Sequence, residues 1–179
     1  MPEQYHSYRL VRRQRLALPV EAVFPFFADP HNLEFLTPPW MNFRIETPSP
    51  IAMAAGTRIQ YTIRWRGLPM SWLTEIVEWV PGRRFVDQQI RGPYRRWHHT
   101  HAFEPEGDAT IMEDIVEYAL PLGPIGRLAH ALVVRRDVHR IFDFRAQRIA
   151  EWVEAQCSES ASRAVHQGGV SRARASTAP

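Results

Sequence analysis

Apolar and polar residues alternate over most of the first 120 positions of the chain, and a spacing of three to four takes over after them. The cleanest alternation lies in residues 57–66, with Ile59, Tyr61, Ile63 and Trp65 on one face and Arg58, Gln60, Thr62, Arg64 and Arg66 on the other. Similar strands are expected over residues 5–18, 40–46, 70–80 and 83–91, each closed by Gly, Pro or both. In the fourth strand, residues 70–80, Trp72, Thr74, Ile76 and Glu78 share a face. The first strand has no cleanly apolar face, which suits a position near a sheet edge.

Two short helices are expected between the first and second strands. Pro19 stands where a helix can begin, with Val20, Val23, Phe24 and Phe27 at helical spacing, and Pro25 keeps that helix short or kinked. Asp29-Pro30 opens the second, with Asp29 as N-cap, and Thr37-Pro38-Pro39 ends it. After Pro121-Leu122-Gly123-Pro124, residues 127–156 form one amphipathic helix. Its stripe holds Leu128, Leu132, Arg135, Val138, Phe142, Arg145, Ile149 and Trp152, and Arg135-Arg136-Asp137 marks a possible bend. From Ser158 periodicity stops, so residues 1–156 are expected to form one domain and 157–179 a disordered tail.

The last hairpin carries the densest chemistry. Trp97, His98, His99 and His101 lie on one strand, and Glu113, Asp114 and Glu117 on the next. With residues 105–108 as the loop, Glu104 faces Ala109, His101 faces Met112, His99 faces Asp114 and Trp97 faces Val116. Trp97, His99, His101 and Phe103 then share a mostly apolar face with Met112, Asp114, Val116 and Tyr118, while His98 points the other way. Asp87 and Gln89 neighbour His99 if a three-residue turn joins the fifth and sixth strands; a two-residue turn puts Val86 there instead.

Composition narrows the classes. All 22 basic residues are Arg and the net charge is only +3. The Arg residues are spread in short pairs rather than gathered into a stripe, so no nucleic-acid partner is expected. One cysteine, Cys157, excludes an intramolecular disulfide and a cysteine-based zinc cage. No integral membrane segment and no apolar signal core is seen, so a cytoplasmic protein, monomer or homodimer, is the expectation.

The order strand, two short helices, six strands, long helix predicts an α+β fold. Its seven-stranded curved antiparallel sheet is gripped by one long C-terminal helix across the concave face, with a cavity between. Three segments carry a family resemblance: LPVEAVFPFFADPHNLEFLTPPWMNFRI, WLTEIVEWVPGRRFVDQQIRGPYRRWHHTHAFEP and EDIVEYALPLGPIGRLAHALVVRRDVHRIFDFRAQRI. On Asp29-Pro30 with Leu33, Phe85 with Asp87, and Trp97, His99 and His101, the chain resembles the SRPBCC superfamily of START-like, birch-pollen-allergen-like helix-grip proteins, in its bacterial cyclase/dehydrase-like ligand-binding group.

The resemblance implies a pocket for a small hydrophobic or amphiphilic molecule, such as a lipid, isoprenoid or polyketide. Its expected lining is Trp72, Thr74, Trp97, His99, His101, Asp114, Val116, Tyr118, Val138 and Phe142, with His99, His101 and Asp114 orienting a polar end. A second reading is a polyketide aromatase/cyclase or dehydratase in which Asp114 makes His99 a general base; a third is a protein-interaction module with a filled core. Arg135 and Arg145 either pair with a ligand acid or with Asp114, or reach solvent. A metal shared by His99 and His101, completed by Asp114 or Asp87, is conceivable, but His-x-His alone is too little, and neither metal nor cofactor is expected.

Overall fold

A computed structural model describes residues 5–174. Seven strands, β1 (Ser7–Leu16), β2 (Arg44–Ile45), β3 (Arg58–Trp65), β4 (Leu68–Val80), β5 (Arg84–Arg91), β6 (Arg96–Glu106) and β7 (Ala109–Ala119), form one antiparallel sheet in the order β1-β7-β6-β5-β4-β3-β2. Helices α1 (Val20–Ala28) and α2 (Asn32–Leu36) follow β1. After β7 come α3 (Gly123–Ala129), a π-helical turn (His130–Val134) and α4 (Arg135–Arg174). The expected helix-grip architecture is the observed one.

β1 is an edge strand, and its mixed inner face has a use. Leu10 and Leu16 are buried in the core. Between them, Arg12 donates to Asp143 Oδ1 (2.8 Å) and Gln14 donates to the Ala146 carbonyl (3.0 Å), so the polar residues tie the sheet edge to α4. At the start of α4, the Trp65 indole donates to Asp137 (2.9 Å), anchoring the helix to β3.

Four local readings are corrected. The β6–β7 loop is the two-residue turn Gly107-Asp108, with Gly107 at φ 61°, rather than residues 105–108. A glycine at the first central position makes a primed turn that matches strand twist, so Pro105 and Glu106 stay in the ladder, where β6 has passed its last pair with β5. Register therefore slips by two: His101 faces Asp114, His99 faces Val116 and Trp97 faces Tyr118. An even slip keeps every side chain on its face.

In β4 a register shift between Ile76 and Glu78 turns the strand over. Glu78 leaves the face of Trp72, Thr74 and Ile76 and pairs with Arg84 (2.7 Å), while Trp79 packs on the core beside Phe24. The second strand shrinks to two residues, because Pro39–Met41 forms a 3-10 turn and Asn42 adopts a left-handed φ of 43°. Lastly, the long helix is not continuous from 127. The π turn shifts the helical phase, and Leu128 and Leu132 face outward at 61% and 70% exposure instead of covering the sheet.

Among the residues whose burial is described, Val153 is the last buried apolar residue of α4. The helix continues to Arg174, past the boundary read at Gln156, through a Ser- and Ala-containing stretch with no proline. Of the expected tail 157–179, residues 175–179 lie outside the described residues.

Candidate functional site

The concave face is filled at one end and hollow at the other. Toward α1 and the middle of α4, Phe24, Phe103, Met112 and Ile149 form a closed cluster, with Phe27 and Phe85 on its cavity side. Toward the start of α4, a cavity of about 390 Å³ remains, within the range of small-molecule sites. Its walls are largely apolar and aromatic, with Tyr61, Trp72, Tyr94, Trp97, Ile141 and Phe142 among them. Leu122 and Ile125 both line the cavity and are 72% and 68% exposed, so it opens to solvent at α3.

Between the filled and hollow ends sits a buried polar cluster made from three adjacent strands and α4. Strand pairing sets Asp87 opposite His99, and His101 opposite Asp114, all on the inner face. This settles the β5–β6 register in favour of Asp87 rather than Val86. Asp114 Oδ1 accepts from both rings, His99 Nε2 at 3.0 Å and His101 Nδ1 at 2.8 Å. His99 thus reaches Asp114 diagonally although it faces Val116. Asp87 Oδ2 lies 3.0 Å from His101 Nε2 and 3.4 Å from His99 Nδ1. Arg145 donates from Nε to Asp114 Oδ2 at 3.2 Å. Thr74 donates to the Gln88 carbonyl at 3.1 Å and stands 3.5 Å from Asp87 Oδ1. Phe85 stacks on His101 with centroids 4.2 Å apart, closing the cluster on the filled side.

Electrostatics separate the two histidines. Burial pushes both rings toward neutrality. For His99, burial and the neighbouring His101 charge outweigh the two carboxylates, and its pKa falls below the usual imidazole value. For His101, hydrogen bonds to Asp114 and Asp87 outweigh burial, and its pKa rises. Burial alone would raise the Asp114 carboxyl, but the Arg145 guanidinium and the His101 and His99 hydrogen bonds hold it well below the carboxylate range. Asp87 is lowered too, burial being outweighed by His99 and His101. The Arg145 guanidinium and the hydrogen bonds from both rings offset the two carboxylates, which makes their burial tolerable.

Trp72, Thr74, Trp97, His99, His101, Val138 and Phe142 all line the cavity, as do Asp87 and Arg145. Asp114, Val116 and Tyr118 do not. Asp114 sits behind the histidines, Val116 is sealed in the core with Leu10 and Val138, and Tyr118 Oη lies 2.9 Å from His130 Nε2 at the π turn. Sequence reasoning did not single out Tyr94. It lies in the β5–β6 loop, where Gln89 clamps it by accepting from its backbone N–H (3.2 Å) and donating to its carbonyl (2.6 Å). An aromatic beside Gly-Pro in a loop carries no periodic signal.

A family model described as "Polyketide cyclase / dehydrase and lipid transport" matches residues 8–154. The chain belongs to this family. Among solved structures, the Zhui aromatase/cyclase from a Streptomyces species superposes with a TM-score of 0.68 at 13% identity, over 85% of this chain and 96% of that one. A Thalictrum flavum norcoclaurine synthase point mutant in complex with a transition state analogue gives 0.64 at 14%, over 86% and 98%. A Thermus thermophilus protein gives 0.62 at 23%, over 83% and 99%. No curated protein matches the chain. At these identities the likeness is one of fold, and the polyketide cyclase/dehydrase and lipid transport family places different tasks on it. Among the described residues, no helix is long and apolar enough to cross a membrane.

Proposed function

We propose that this protein binds one small amphiphilic molecule in the cavity between sheet and α4, apolar body among the aromatics and polar end toward Asp87, His99, His101 and Arg145. The observation that carries this reading is a hollow lined by apolar side chains and floored by one buried polar cluster. Family membership and the aromatase/cyclase and synthase neighbours support a small-molecule cavity of this kind. A second feature bears on the ligand's chemistry. Trp72 lines the cavity, and its indole Nε1–H is buried with no partner. A buried unpaired donor is costly, and a hydrogen-bond acceptor on the ligand would satisfy it. The domain responsible is residues 1–156.

The enzymatic alternative, a cyclase or dehydratase using His99 with Asp114, draws on their 3.0 Å contact. Against it, both nitrogens of each imidazole already face a carboxylate oxygen, so neither ring presents a bare nitrogen to a substrate. Binding and orientation are therefore the leading reading.

The test is a titration with 8-anilinonaphthalene sulfonate, displaced by fatty acids and by polycyclic aromatic phenols, on wild type and Ile141→Trp. Ile141 lines the cavity from α4, so a tryptophan there occupies the hollow. Saturable one-site binding lost in the folded variant is expected. Equal binding by both proteins, or none above the millimolar range, contradicts the reading.

A further inference from the structure

Asp114 and Asp87 play unlike parts in the buried cluster. Asp114 Oδ1, an ionised acceptor, takes a hydrogen from His99 Nε2 and lies 2.8 Å from His101 Nδ1, which Arg145 Nη2 also approaches at 3.4 Å. The two remaining ring nitrogens, His99 Nδ1 and His101 Nε2, both turn to Asp87 Oδ2. A cation bound between them takes the place of the hydrogens these nitrogens turn toward Asp87, and two nitrogens and one carboxylate oxygen then converge as three donors. These donor atoms all lie within 4.8 Å of one another.

This is the arrangement of a metal site with its outer shell in place. Ions bound at about 2.0–2.2 Å hold neighbouring donors about 3.0–3.4 Å apart in octahedral or tetrahedral geometry. The two Asp87–histidine separations are 3.0 and 3.4 Å. Metal-bound histidines regularly donate their far N–H to a carboxylate, which fixes the tautomer. Asp114 does this for both rings at once, and Arg145 Nε holds its other oxygen. Asp87, His99 and His101 line the cavity while Asp114 does not, so the open side of the triad faces the hollow. A structural ion is enclosed by four protein ligands, whereas three with an open side belong to reactive or ligand-binding ions.

We propose that Asp87, His99 and His101 bind a divalent first-row transition ion of the zinc(II) or iron(II) type, its open positions turned to the cavity and available to an anionic oxygen of the ligand. The ion site stands on the triad's geometry alone; the role given to its open positions rests on the cavity reading. With two carboxylates, Arg145, a divalent ion and both coordinating imidazoles neutral, the cluster carries one positive charge, which a carboxylate or enolate oxygen neutralises. Of the two carboxylates the sequence offered to complete such a set, Asp87 is the one that strand pairing places beside both remaining ring nitrogens.

The test uses chelator-treated full-length protein titrated with zinc chloride by calorimetry, and with cobalt(II) followed by visible absorption. One ion per chain is expected, with a cobalt spectrum of low-coordinate intensity. Asp114→Asn should weaken zinc roughly 10–100-fold, as removal of an outer-shell partner does. Asp87→Asn and His99→Gln should weaken it further, and His98→Gln, on the other sheet face, should leave it unchanged. Absence of saturable zinc binding below the millimolar range overturns the proposal. So does affinity retained in folded Asp87→Asn and His99→Gln, or a cobalt spectrum of the hexa-aqua type in wild type, which needs no variant to fold. Dye binding to the metal-free protein is scored separately, so a failed metal site and a failed cavity are told apart.

Discussion

The filled and hollow ends of one concave face are built from different aromatics. At the filled end the rings are mainly phenylalanine, Phe24, Phe27, Phe85 and Phe103, meeting edge-to-face, tilted or stacked with centroids 5.2–6.3 Å apart. Phenylalanine has no polar atom to satisfy and can be sealed away. At the hollow end they are Tyr61, Trp72, Tyr94 and Trp97, each with a polar handle that needs a partner. Burial pushes the Tyr94 and Tyr61 hydroxyls well above their usual value, so both stay protonated donors. The same sheet and helix thus serve as a clamp at one end and as a container at the other, with the Asp–His–Arg cluster on the boundary.

This contrast can be broken by substitution. The largest effect is expected from Phe103→Ala at the filled end, which should lose about 3–5 kcal/mol in a denaturant titration. A loss under about 1 kcal/mol would mean that this end is not the clamp. At the boundary, Arg145→Met leaves the buried Asp114 without its cation and should cost about 3 kcal/mol, partly recovered by Asp114→Asn in the same chain. At the hollow end, Trp72→Phe removes an unpaired donor. Folding stability should hold or rise by up to about 1 kcal/mol, while ligand affinity falls about 5–10-fold for one lost hydrogen bond. A stability loss like that of Phe103→Ala would erase the distinction between the ends.

The smallest effect concerns the mouth. His130 stacks on Tyr8 and lies near Tyr118, with burial and the positive charges of Arg135, His6 and His139 lowering its pKa. A histidine lowered on folding takes its proton first in the unfolded chain. Stability is therefore unaffected above the ordinary imidazole value and falls as pH drops below it. The melting temperature should fall between pH 7.5 and pH 5.5 by slightly less in His130→Gln than in wild type, measured with and without added ligand.

Much of this was readable because strand periodicity is robust to small errors. His99, His101 and Asp114 share a face whether the hairpin loop has four residues or two, and the two-residue slip changed partners without changing faces. The β4 irregularity at Val77 did change faces, and no residue type there announces a bulge. Asp87 stayed open for the same reason: one residue in the β5–β6 turn decides whether it or Val86 meets His99. The helix was read as continuous because Leu128 and Leu132 fit the stripe of Phe142 and Ile149; a π turn leaves the pattern of residue types unchanged while rotating the earlier part to solvent. Arg145 was one of several options for Asp114, and only the crossing of α4 over β7 selects it.

Indole N–H resonances read both ends of the concave face at once. Proton–nitrogen spectra of the protein titrated with 8-anilinonaphthalene sulfonate should show the Trp72 and Trp97 signals shifting together and saturably. Trp152, stacked on Phe26 with centroids 4.1 Å apart at the filled end, and Trp40, under Arg140 on the surface, should stay still. Shifts confined to Trp40, or spread equally over Trp152, would mean that the hollow between sheet and α4 is not where the molecule binds.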